Sequence, residues 1–407
     1  MLRAAARKHQ LPLSMYLVGT DPYLRYYLYL MQGFQEIDFY QYGPYSNVGP
    51  AWGEDRGTLL QIGKATREIA PYEELLCAAR RRPTRAALLV AYTTDVMQKH
   101  GPGFGPERQG LYLALHHSGI PVDVVGETDL VNDNLLQQYS VLYVTDPVVR
   151  LDVQRKILDW VRGGGHLWAG AGALGWDEYG RISRVLWPAF GVQEYDVRVQ
   201  PAIGWGLPFF SPRSIRIRYH PRGLLKASGG AGALSLPHDV IAWGIRGNLP
   251  PSTGKVLARF DDGKPGALQN QYGKGMVWTI GVLAGEAYAR RHWRLGLPPA
   301  RLDCASGTAE RALVATAAAA AGVSPPVKLS VPGLYSSVLD APGATLVFLV
   351  NASTRPVKQL TVALAGAETV GKVESLRQGI LPHRVEQGRL VVDVPLQDVE
   401  LLVLRRK

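Results

Sequence analysis

Short apolar segments alternate with amphipathic segments of helical period between residues 86 and 170, and this alternation limits the possible folds more than any other feature. The segments AALLVAY (86–92), YSVLYVTDP (139–147) and HLWAG (166–170) suit strands that are covered on both faces. The segment between the last two carries apolar residues at helical spacing and ends in three consecutive glycines. Strands that alternate with helices of about 10–15 residues are typical of a doubly wound parallel sheet. The sequence therefore predicts a doubly wound α/β domain over residues 84–327.

The residues before this domain follow a similar but shorter pattern. LPLSMYLVG (11–19) suits a short buried strand, and Asp21-Pro22 suits a helix start with proline at the first helical position. EIDFYQYGP (36–44) suits a second strand, which is followed by a polar, glycine-rich loop and a further helix. Residues 1–83 are therefore predicted to hold two βα units that form the end of a larger domain.

The residues after Pro325-Pro326 change character again. Four short segments of alternating hydrophobicity are separated by Gly, Asn and Pro turns, which is typical of antiparallel strands. An antiparallel β-sandwich is predicted over 328–407. The fold class is α/β, with three domains at 1–83, 84–327 and 328–407.

The net charge of +11 makes a nucleic-acid partner the first alternative to test. The positive excess is spread over all three segments, and the dense cluster of Arg80, Arg81, Arg82 and Arg85 has no interleaved aromatic residues. We interpret this cluster as a solvated linker, with a phosphate-binding stripe as the alternative. No nucleic-acid partner is expected.

The cysteines and the apolar runs exclude further classes. Cys77 and Cys304 lie too far apart to define a disulfide framework or a metal motif, and both are predicted to be buried thiols. No apolar run of signal-peptide length precedes Pro12, and no stretch of about 18 apolar residues occurs. No leader or membrane span is expected in this chain, and its compartment stays open.

The doubly wound domain lacks the residues of its usual chemistries. Its glycine-rich loop at 101–105 follows the first strand too late, and with the wrong spacing, for a dinucleotide fingerprint, so no cofactor is expected. In the turn AGAGALG (169–175), Ala171 and Ala173 occupy the places where an amidotransferase would carry its cysteine. That activity lacks its reacting atom.

Two pairs of polar neighbours also fail as sites. His116 and His117 are adjacent on a helix and point in different directions, so they cannot share a metal, and a surface or packing role is predicted. Asp177 and Glu178 are adjacent in a loop with no partner carboxylate that the sequence identifies. No metal is expected.

The loop after the strand at 36–44 is a better candidate site. It offers Gln41, Tyr42, Trp52 and Glu54 at the carboxyl end of a strand, where barrel enzymes bind ligands. Aromatic faces together with amide and carboxylate groups suit a sugar. The alternative is a loop that packs against a neighbouring domain.

Taken together, these segments resemble the downstream part of glycoside hydrolase family 42, a family of β-galactosidases. FYQY (39–42) resembles the end of the eighth strand of its catalytic barrel. Three stretches, 110–125, 152–180 and 272–290, resemble its flavodoxin-like trimerisation domain, which shares the amidotransferase fold without the nucleophile. ATLVFLVNAST (344–354) resembles a strand of its carboxyl-terminal β-domain.

This resemblance implies a sugar-processing protein but not a complete active site. Retaining glycosidases need two carboxylates about 5 Å apart, and in this family these follow strands four and seven of a barrel of about 250 residues. The segment that resembles strand seven has no Glu, and its nearest acid is Asp21, a weak catalytic candidate that we interpret mainly as a helix cap. We expect a β-galactosidase-like protein or fragment that is inactive as this chain alone. A non-catalytic carbohydrate-binding or assembly protein is the alternative.

The resemblance further implies assembly into a homotrimer through residues 84–327. Trp160, Trp168, Trp176 and Trp187 crowd into one stretch, and aromatic residues with a polar edge are enriched at interfaces. The alternative is that these tryptophans pack internally.

Overall fold

The computed structural model describes residues 11–17, 21–39, 56–97, 105–132, 134–195, 221–227, 234–292, 307–366 and 369–407. The chain forms two compact units. Unit 1 comprises Thr84–Leu297 and Ala305–Ser324, and unit 2 comprises Leu2–Pro83, Pro298–Cys304 and Pro325–Lys407. The division into three domains stays a prediction.

Unit 1 is built from helices and strands that alternate in its first half. Its helices are α4 (Tyr92–Met97), α5 (Gly105–His117), α6 (Glu127–Asn132), α7 (Leu151–Arg162), α8 (Trp187–Phe190), α9 (Ala284–His292) and α10 (Thr308–Ala320), with a 3-10 turn at Leu135–Gln138. Its strands are β4 (Ala86–Val90), β5 (Asp123–Gly126), β6 (Val141–Val144), β7 (His166–Ala169), β8 (Pro221–Ala227), β9 (Val240–Trp243), β10 (Lys255–Phe260), β11 (Pro265–Tyr272) and β12 (Gly275–Ile280).

These nine strands form one mixed sheet in the order β5-β4-β6-β7-β12-β11-β10-β8-β9. The first five strands pair in parallel, as the alternation of strands and helices predicts. From β12 onwards the pairing is antiparallel, and this extension was not predicted. The sequence did not reveal it because residues 200–275 carry no regular alternation.

The sheet of unit 1 is covered on both faces, because successive side chains of a strand point to opposite sides. In β4, Ala86 and Leu88 belong to one hydrophobic cluster while Ala87 and Leu89 belong to another. All five residues of this strand are buried. A fully buried Leu or Val side chain contributes about 1.5–3 kcal/mol, so Leu88, Leu89 and Val90 stabilise β4 in the core.

Unit 2 contains the beginning and the end of the chain. Its helices are α1 (Pro22–Leu30), α2 (Arg56–Ile69) and α3 (Glu73–Ala78), with a 3-10 turn at Ala70–Tyr72. Its strands are β1 (Ser14–Leu17), β2 (Glu36–Phe39), β3 (Arg80–Arg81), β13 (Val327–Leu329), β14 (Tyr335–Ala341), β15 (Ala344–Val350), β16 (Val357–Ala365), β17 (Val370–Ser375), β18 (Gly379–Leu381), β19 (Arg384–Glu386), β20 (Arg389–Leu396) and β21 (Val399–Arg406).

The strands of unit 2 form three sheets. β1 and β2 pair in parallel, with α1 between them in the chain. The later strands form antiparallel sheets in the orders β13-β16-β20-β19 and β18-β17-β21-β15-β14-β3. All seven residues of β15 are buried, because Leu346 and Phe348 pack with α1 and α2 while Val347 and Leu349 pack with the four-stranded sheet.

The arginine cluster of unit 2 is not a solvated linker, and this prediction was wrong for residues 80–82. Arg80 and Arg81 form the edge strand β3 and pair with Asp340 and Leu339 of β14. The Arg82 guanidinium binds the Asp340 carboxylate through two contacts of 2.7 and 3.0 Å. The prediction failed because the partner carboxylate lies more than 250 positions away in the sequence.

Two further sequence expectations concern cysteines and membranes. Cys77 is exposed, so the prediction of a buried thiol was wrong there, and Cys304 lies outside the described residues. Cys77 lies near the end of the short helix α3, and every side chain of this helix is exposed or half-buried. Of the described helices, none combines the length and the apolar character that crossing a membrane requires.

Candidate functional site

The four predicted sugar contacts, Gln41, Tyr42, Trp52 and Glu54, lie outside the described residues. They follow β2, which ends at Phe39.

Asp21 lies between β1 and α1 and caps the helix. Its backbone is in the left-handed region, with φ 55° and ψ 61°, and its Oδ1 accepts a hydrogen bond from the Leu24 N–H at 3.2 Å. Proline follows at the first helical position, which has no N–H to satisfy. A capping carboxylate is worth about 1 kcal/mol to a helix. This geometry accounts for Asp21 as a structural residue, and its catalytic candidacy stays a prediction.

Glu68 is the most heavily bonded carboxylate on the described helices of unit 2. It accepts hydrogen bonds from the hydroxyls of Tyr27 at 2.7 Å and Tyr23 at 2.9 Å. Arg377 donates to both of its oxygens, at 2.5 and 2.9 Å. Burial works against the charge of Glu68, but the hydrogen bonds from Arg377 and the two tyrosines outweigh it and lower the pKa. A carboxylate with four donors stabilises the packing of α1 and α2 and has little capacity left to act as a base or nucleophile.

Unit 1 holds a second polar centre at the carboxyl ends of its parallel strands, which is where open α/β sheets bind ligands. Asp146 follows β6 and is fully buried. Its Oδ2 accepts from the Ala91 N–H at 3.0 Å, and its Oδ1 lies 3.0 Å from Arg108 Nε. Arg108 also donates through Nη1 to Asp95 at 3.1 Å. An ion pair therefore fills part of the edge that a ligand would otherwise use.

Glu127 and Gln154 form hydrogen bonds with the backbone of the segments near this ion pair. Glu127 accepts from the N–H and the hydroxyl of Thr93 at 2.9 and 2.7 Å, and from the Arg150 N–H at 2.9 Å. Gln154 donates to the carbonyls of Val149 and Trp176 at 2.7 and 2.9 Å. We call Asp95, Arg108, Glu127 and Asp146 the carboxyl-edge network.

Two buried carboxyl groups of unit 1 have strongly raised pKa values. Burial raises the pKa of Asp146 to about 7, although Arg108 acts in the opposite direction. Burial likewise raises the pKa of Glu107 to about 8, against the N–H groups of Glu286 and Gly285, which donate to it at 2.5 and 3.1 Å. Such shifts are frequent at active sites, but structural ion pairs produce them too. Here both carboxyls are occupied by backbone donors.

The neighbouring turn offers no nucleophile. Ala171 and Ala173 are buried, and Leu174 takes a left-handed backbone conformation with φ 60°. The Leu174 N–H donates to the Asp146 carbonyl at 2.8 Å, which ties the turn to β6. With alanine at both positions, covalent acyl transfer has no reacting atom at this turn.

The two adjacent histidines have packing partners, as the sequence predicts. His116 Nε2 lies 2.8 Å from the Tyr112 hydroxyl, and His117 Nδ1 lies 2.6 Å from the Tyr288 hydroxyl. Both rings are buried and point to different partners. Within the described ranges, no three His, Cys, Asp or Glu side chains come together as metal ligands.

Sequence reasoning missed the carboxyl-edge network. Arg108 lies in an otherwise amphipathic helix, and Asp146 follows an apolar strand directly before proline. The local signal is a charged residue, Asp146, just after a completely apolar strand. This signal does not indicate which residue pairs with Asp146.

Comparisons with known proteins identify the fold. No family model matches the chain, and no curated protein matches it. A catalytic mutant of Gan42B, a GH42 beta-galactosidase from G. stearothermophilus, is similar in structure with a TM-score of 0.64 and 16% identity over 95% of this chain. The beta-galactosidase from Rahnella sp. R3 has a TM-score of 0.65 and 18% identity over 95%. Alpha-L-fucosidase isoenzyme 2 from Paenibacillus thiaminolyticus has a TM-score of 0.62 and 18% identity over 94%.

The chain has the mixed α/β fold of part of these glycoside hydrolases. The matches cover 50%, 51% and 57% of those three chains, so this chain spans little more than half of their length. At such identities the likeness concerns the fold.

Proposed function

We propose that this chain is a glycoside hydrolase family 42-like, β-galactosidase-like protein or fragment that acts in carbohydrate metabolism. The likeness of nearly the whole chain to GH42 beta-galactosidases is the observation that supports it most. In this proposal residues 1–83 are the last two βα units of a catalytic barrel, residues 84–327 a flavodoxin-like assembly domain, and residues 328–407 a β-sandwich. Gln41, Tyr42, Trp52 and Glu54 are the proposed sugar contacts.

We further propose that the chain alone does not hydrolyse glycosides. Hydrolysis needs two carboxyl groups about 5 Å apart for retention, or about 6.5–9.5 Å apart for inversion. On the described part of unit 2, Asp21 caps α1 and Glu68 is held by Arg377 and two tyrosines. In these contacts both carboxylates serve the packing and capping of the helices of unit 2.

The first prediction is therefore that the chain shows no turnover of chromogenic β-galactosides above the uncatalysed background. Loss of one member of a catalytic carboxylate pair removes the acid or the nucleophile from the mechanism. Steady-state assays of the chain and of Asp21→Asn should give the same background rate. Turnover by the unsubstituted chain that disappears in Asp21→Asn would make Asp21 catalytic and contradict the proposal.

A second candidate function is assembly, and exposed apolar side chains on unit 1 favour it. On α4, Tyr92 is 71% exposed and Val96 57%, and in the loop between β7 and α8, Tyr179 is 72% exposed and Ile182 61%. A Cβ at Gly180 would lie 3.6 Å from the Met97 side chain, so helix and loop adjoin. We call Tyr92, Val96, Met97, Tyr179 and Ile182 the apolar patch. Contiguous apolar patches on soluble proteins frequently mark interfaces.

We propose a homotrimer of this chain that buries the apolar patch. The tryptophan cluster contributes less than the sequence suggested, because Trp168 is fully buried in the core of unit 1. Trp160, Trp176 and Trp187 are half-buried. In a trimer with threefold symmetry, one contact between two different surfaces is repeated three times and closes a ring. The apolar patch would therefore contact a different surface of the next copy.

The second prediction is that Val96→Glu dissociates this assembly. A carboxylate buried without a partner costs several kcal/mol, which corresponds to a rise in the dissociation constant on the order of a hundredfold. Light scattering at tens of micromolar should give about three times 44.5 kDa for the unsubstituted chain and a smaller mass for Val96→Glu. Ile380→Glu is the control and should remain a trimer, because Ile380 is an exposed apolar residue of unit 2 outside the apolar patch. A monomeric unsubstituted chain would refute the assembly proposal.

A further inference from the structure

A cleft of 590 Å³ opens at the amino-terminal edge of the parallel strands of unit 1. Arg85 directly precedes β4, Ser140 directly precedes β6, and His166 begins β7, and all three line the cleft. This is the edge opposite to the carboxyl-edge network. Small-ligand sites typically measure about 300–1,000 Å³, so the cleft is large enough for one or two sugar rings.

Trp160 supplies an ordered aromatic wall of this cleft. It is half-buried and lies near the end of α7, next to the glycine turn 163–165. A Cβ at Gly165 would fall 2.3 Å from two atoms of the indole ring, so the ring rests directly on the backbone of Gly165. Only glycine permits this approach. The indole is therefore held in place before any ligand arrives, and binding would cost little side-chain entropy.

His166 supplies a neutral hydrogen-bonding group. Its ring stacks on Trp278 with centroids 5.8 Å apart and planes inclined by 20°. Burial lowers the pKa of His166, against a hydrogen bond with the backbone of Gly164, so the imidazole is uncharged at neutral pH. The ring N–H of His166 is used in the bond to the Gly164 backbone, so the other ring nitrogen is left as a hydrogen-bond acceptor.

The rim of the cleft carries amides and charges of both signs. Asn134 and Gln137 contribute exposed amides, each with donors and an acceptor. Lys156 lines the cleft but its ammonium group already donates to the Val131 carbonyl. Asp159 lies on the same rim, is 69% exposed and pairs with Arg162 at 3.0 Å. Lys156 and Asp159 are therefore both engaged within the chain, and an uncharged polyol would find amide donors and acceptors around an aromatic wall.

We propose that this cleft, lined by Arg85, Asn134, Gln137, Asp159, Trp160 and His166, binds an uncharged mono- or disaccharide. The apolar C–H face of a pyranose ring contacts the indole of Trp160, and its hydroxyls exchange hydrogen bonds with the amides and the imidazole. This site goes beyond the proposed function, since it uses no residue of the 41–54 loop and requires no carboxylate pair.

The experiment uses the full chain labelled with 5-fluorotryptophan and followed by fluorine NMR. The chain has nine tryptophans, and the resonances lost in Trp160→Phe, Trp52→Phe and Trp187→Phe assign three of them. On titration with methyl β-D-galactopyranoside and with lactose, the Trp160 resonance should shift and saturate at a dissociation constant of about 1 mM. The Trp187 resonance, from another half-buried indole of unit 1, should not move.

Gln137→Ala tests the site without disturbing the fold, because Gln137 is exposed. Loss of one neutral hydrogen bond should weaken sugar binding about three- to tenfold at an unchanged melting temperature. The resonance of Trp52 reports separately on the 41–54 loop, so failure of the proposed sugar contacts there and failure of the cleft give different spectra.

Three outcomes would overturn the inference. The Trp160 resonance could remain unchanged at high millimolar concentrations of both sugars. Inorganic phosphate could shift it at lower concentration than either sugar, more strongly still in Asp159→Asn, which would make the cleft an anion site. Gln137→Ala could leave the sugar affinity unchanged, which would show that the sugar hydroxyls do not bind the rim amides as proposed.

Discussion

Replacing Arg108 by methionine is expected to lower the free energy of unfolding of unit 1 by about 3–5 kcal/mol at pH 8–9. Arg108 lies 3.0 Å from the fully buried Asp146 and its side chain is only 10% exposed. Methionine keeps much of the side-chain volume but removes the charge, so Asp146 would remain buried without its cation. Denaturant unfolding monitored by circular dichroism measures the loss.

The pH dependence of this loss separates charge from packing. The raised pKa of Asp146, about 7, means that the folded state holds a proton which the unfolded state has already released above pH ~4. Stability from this group therefore falls as pH rises through about 7. Without Arg108 the pKa rises further, so the deficit of Arg108→Met should be larger at pH 8–9 than at pH 5–6.

Two matched variants make the result decisive. Arg150→Met breaks the exposed pair with Asp152 on the same unit and should cost about 0–1 kcal/mol. Arg108→Met combined with Asp146→Asn should recover part of the loss, because the buried charge is gone. A deficit that is equal at both pH values and unchanged in the double variant would show that the cost comes from packing alone.

Gly110→Ala should destabilise unit 1 by about 1–3 kcal/mol or more, although alanine is the better helix former. A Cβ at Gly110 would lie 2.0 Å from the Gly285 carbonyl oxygen, and a Cβ at Gly285 would lie 2.0 Å from the Glu107 carbonyl oxygen. The backbones of α5 and α9 are therefore in direct contact at these glycines. An added methyl group would require one helix to shift as a whole, because the atoms in its way belong to the backbone. The same unfolding measurement applies.

Gly105→Ala is the control for this prediction. Gly105 begins the same helix, and among the described residues beyond its chain neighbours and its own helical turn no heavy atom lies within 4 Å of a Cβ built there. Alanine at this position should therefore be neutral or stabilising by up to about 1 kcal/mol. If both substitutions had the same effect, helix propensity rather than the contact between α5 and α9 would account for it.

The parallel part of unit 1 could be predicted from sequence because its signals are local. Strands such as β4 are apolar throughout, and α7 carries Val153, Ile157 and Val161 on one buried face. Such patterns depend on period and burial within a few residues. The antiparallel strands β8, β10 and β11 mix buried and exposed residues without a regular alternation, so no local period identifies them. The pairing of β10 with β8 also joins strands about 30 positions apart.

The candidate site was predicted less completely. The four proposed sugar contacts of the 41–54 loop rest on chemical type alone and lie outside the described residues, so they stay predictions. Asp21 was interpreted mainly as a helix cap, and its hydrogen bond to the Leu24 N–H agrees with this. The cleft beside Trp160 could not be predicted, because its lining comes from residues between 85 and 321.

The sequence by itself determined the alternation of strands and helices in unit 1, the cap of α1 and the absence of a nucleophile at Ala171 and Ala173, since each depends on residue type and short-range spacing. Only the tertiary structure decided that Arg80 and Arg81 pair with β14, and that Arg108 neutralises Asp146. These contacts join residues from 38 to about 260 positions apart. Their energy comes from burial and charge in three dimensions, which no local pattern encodes.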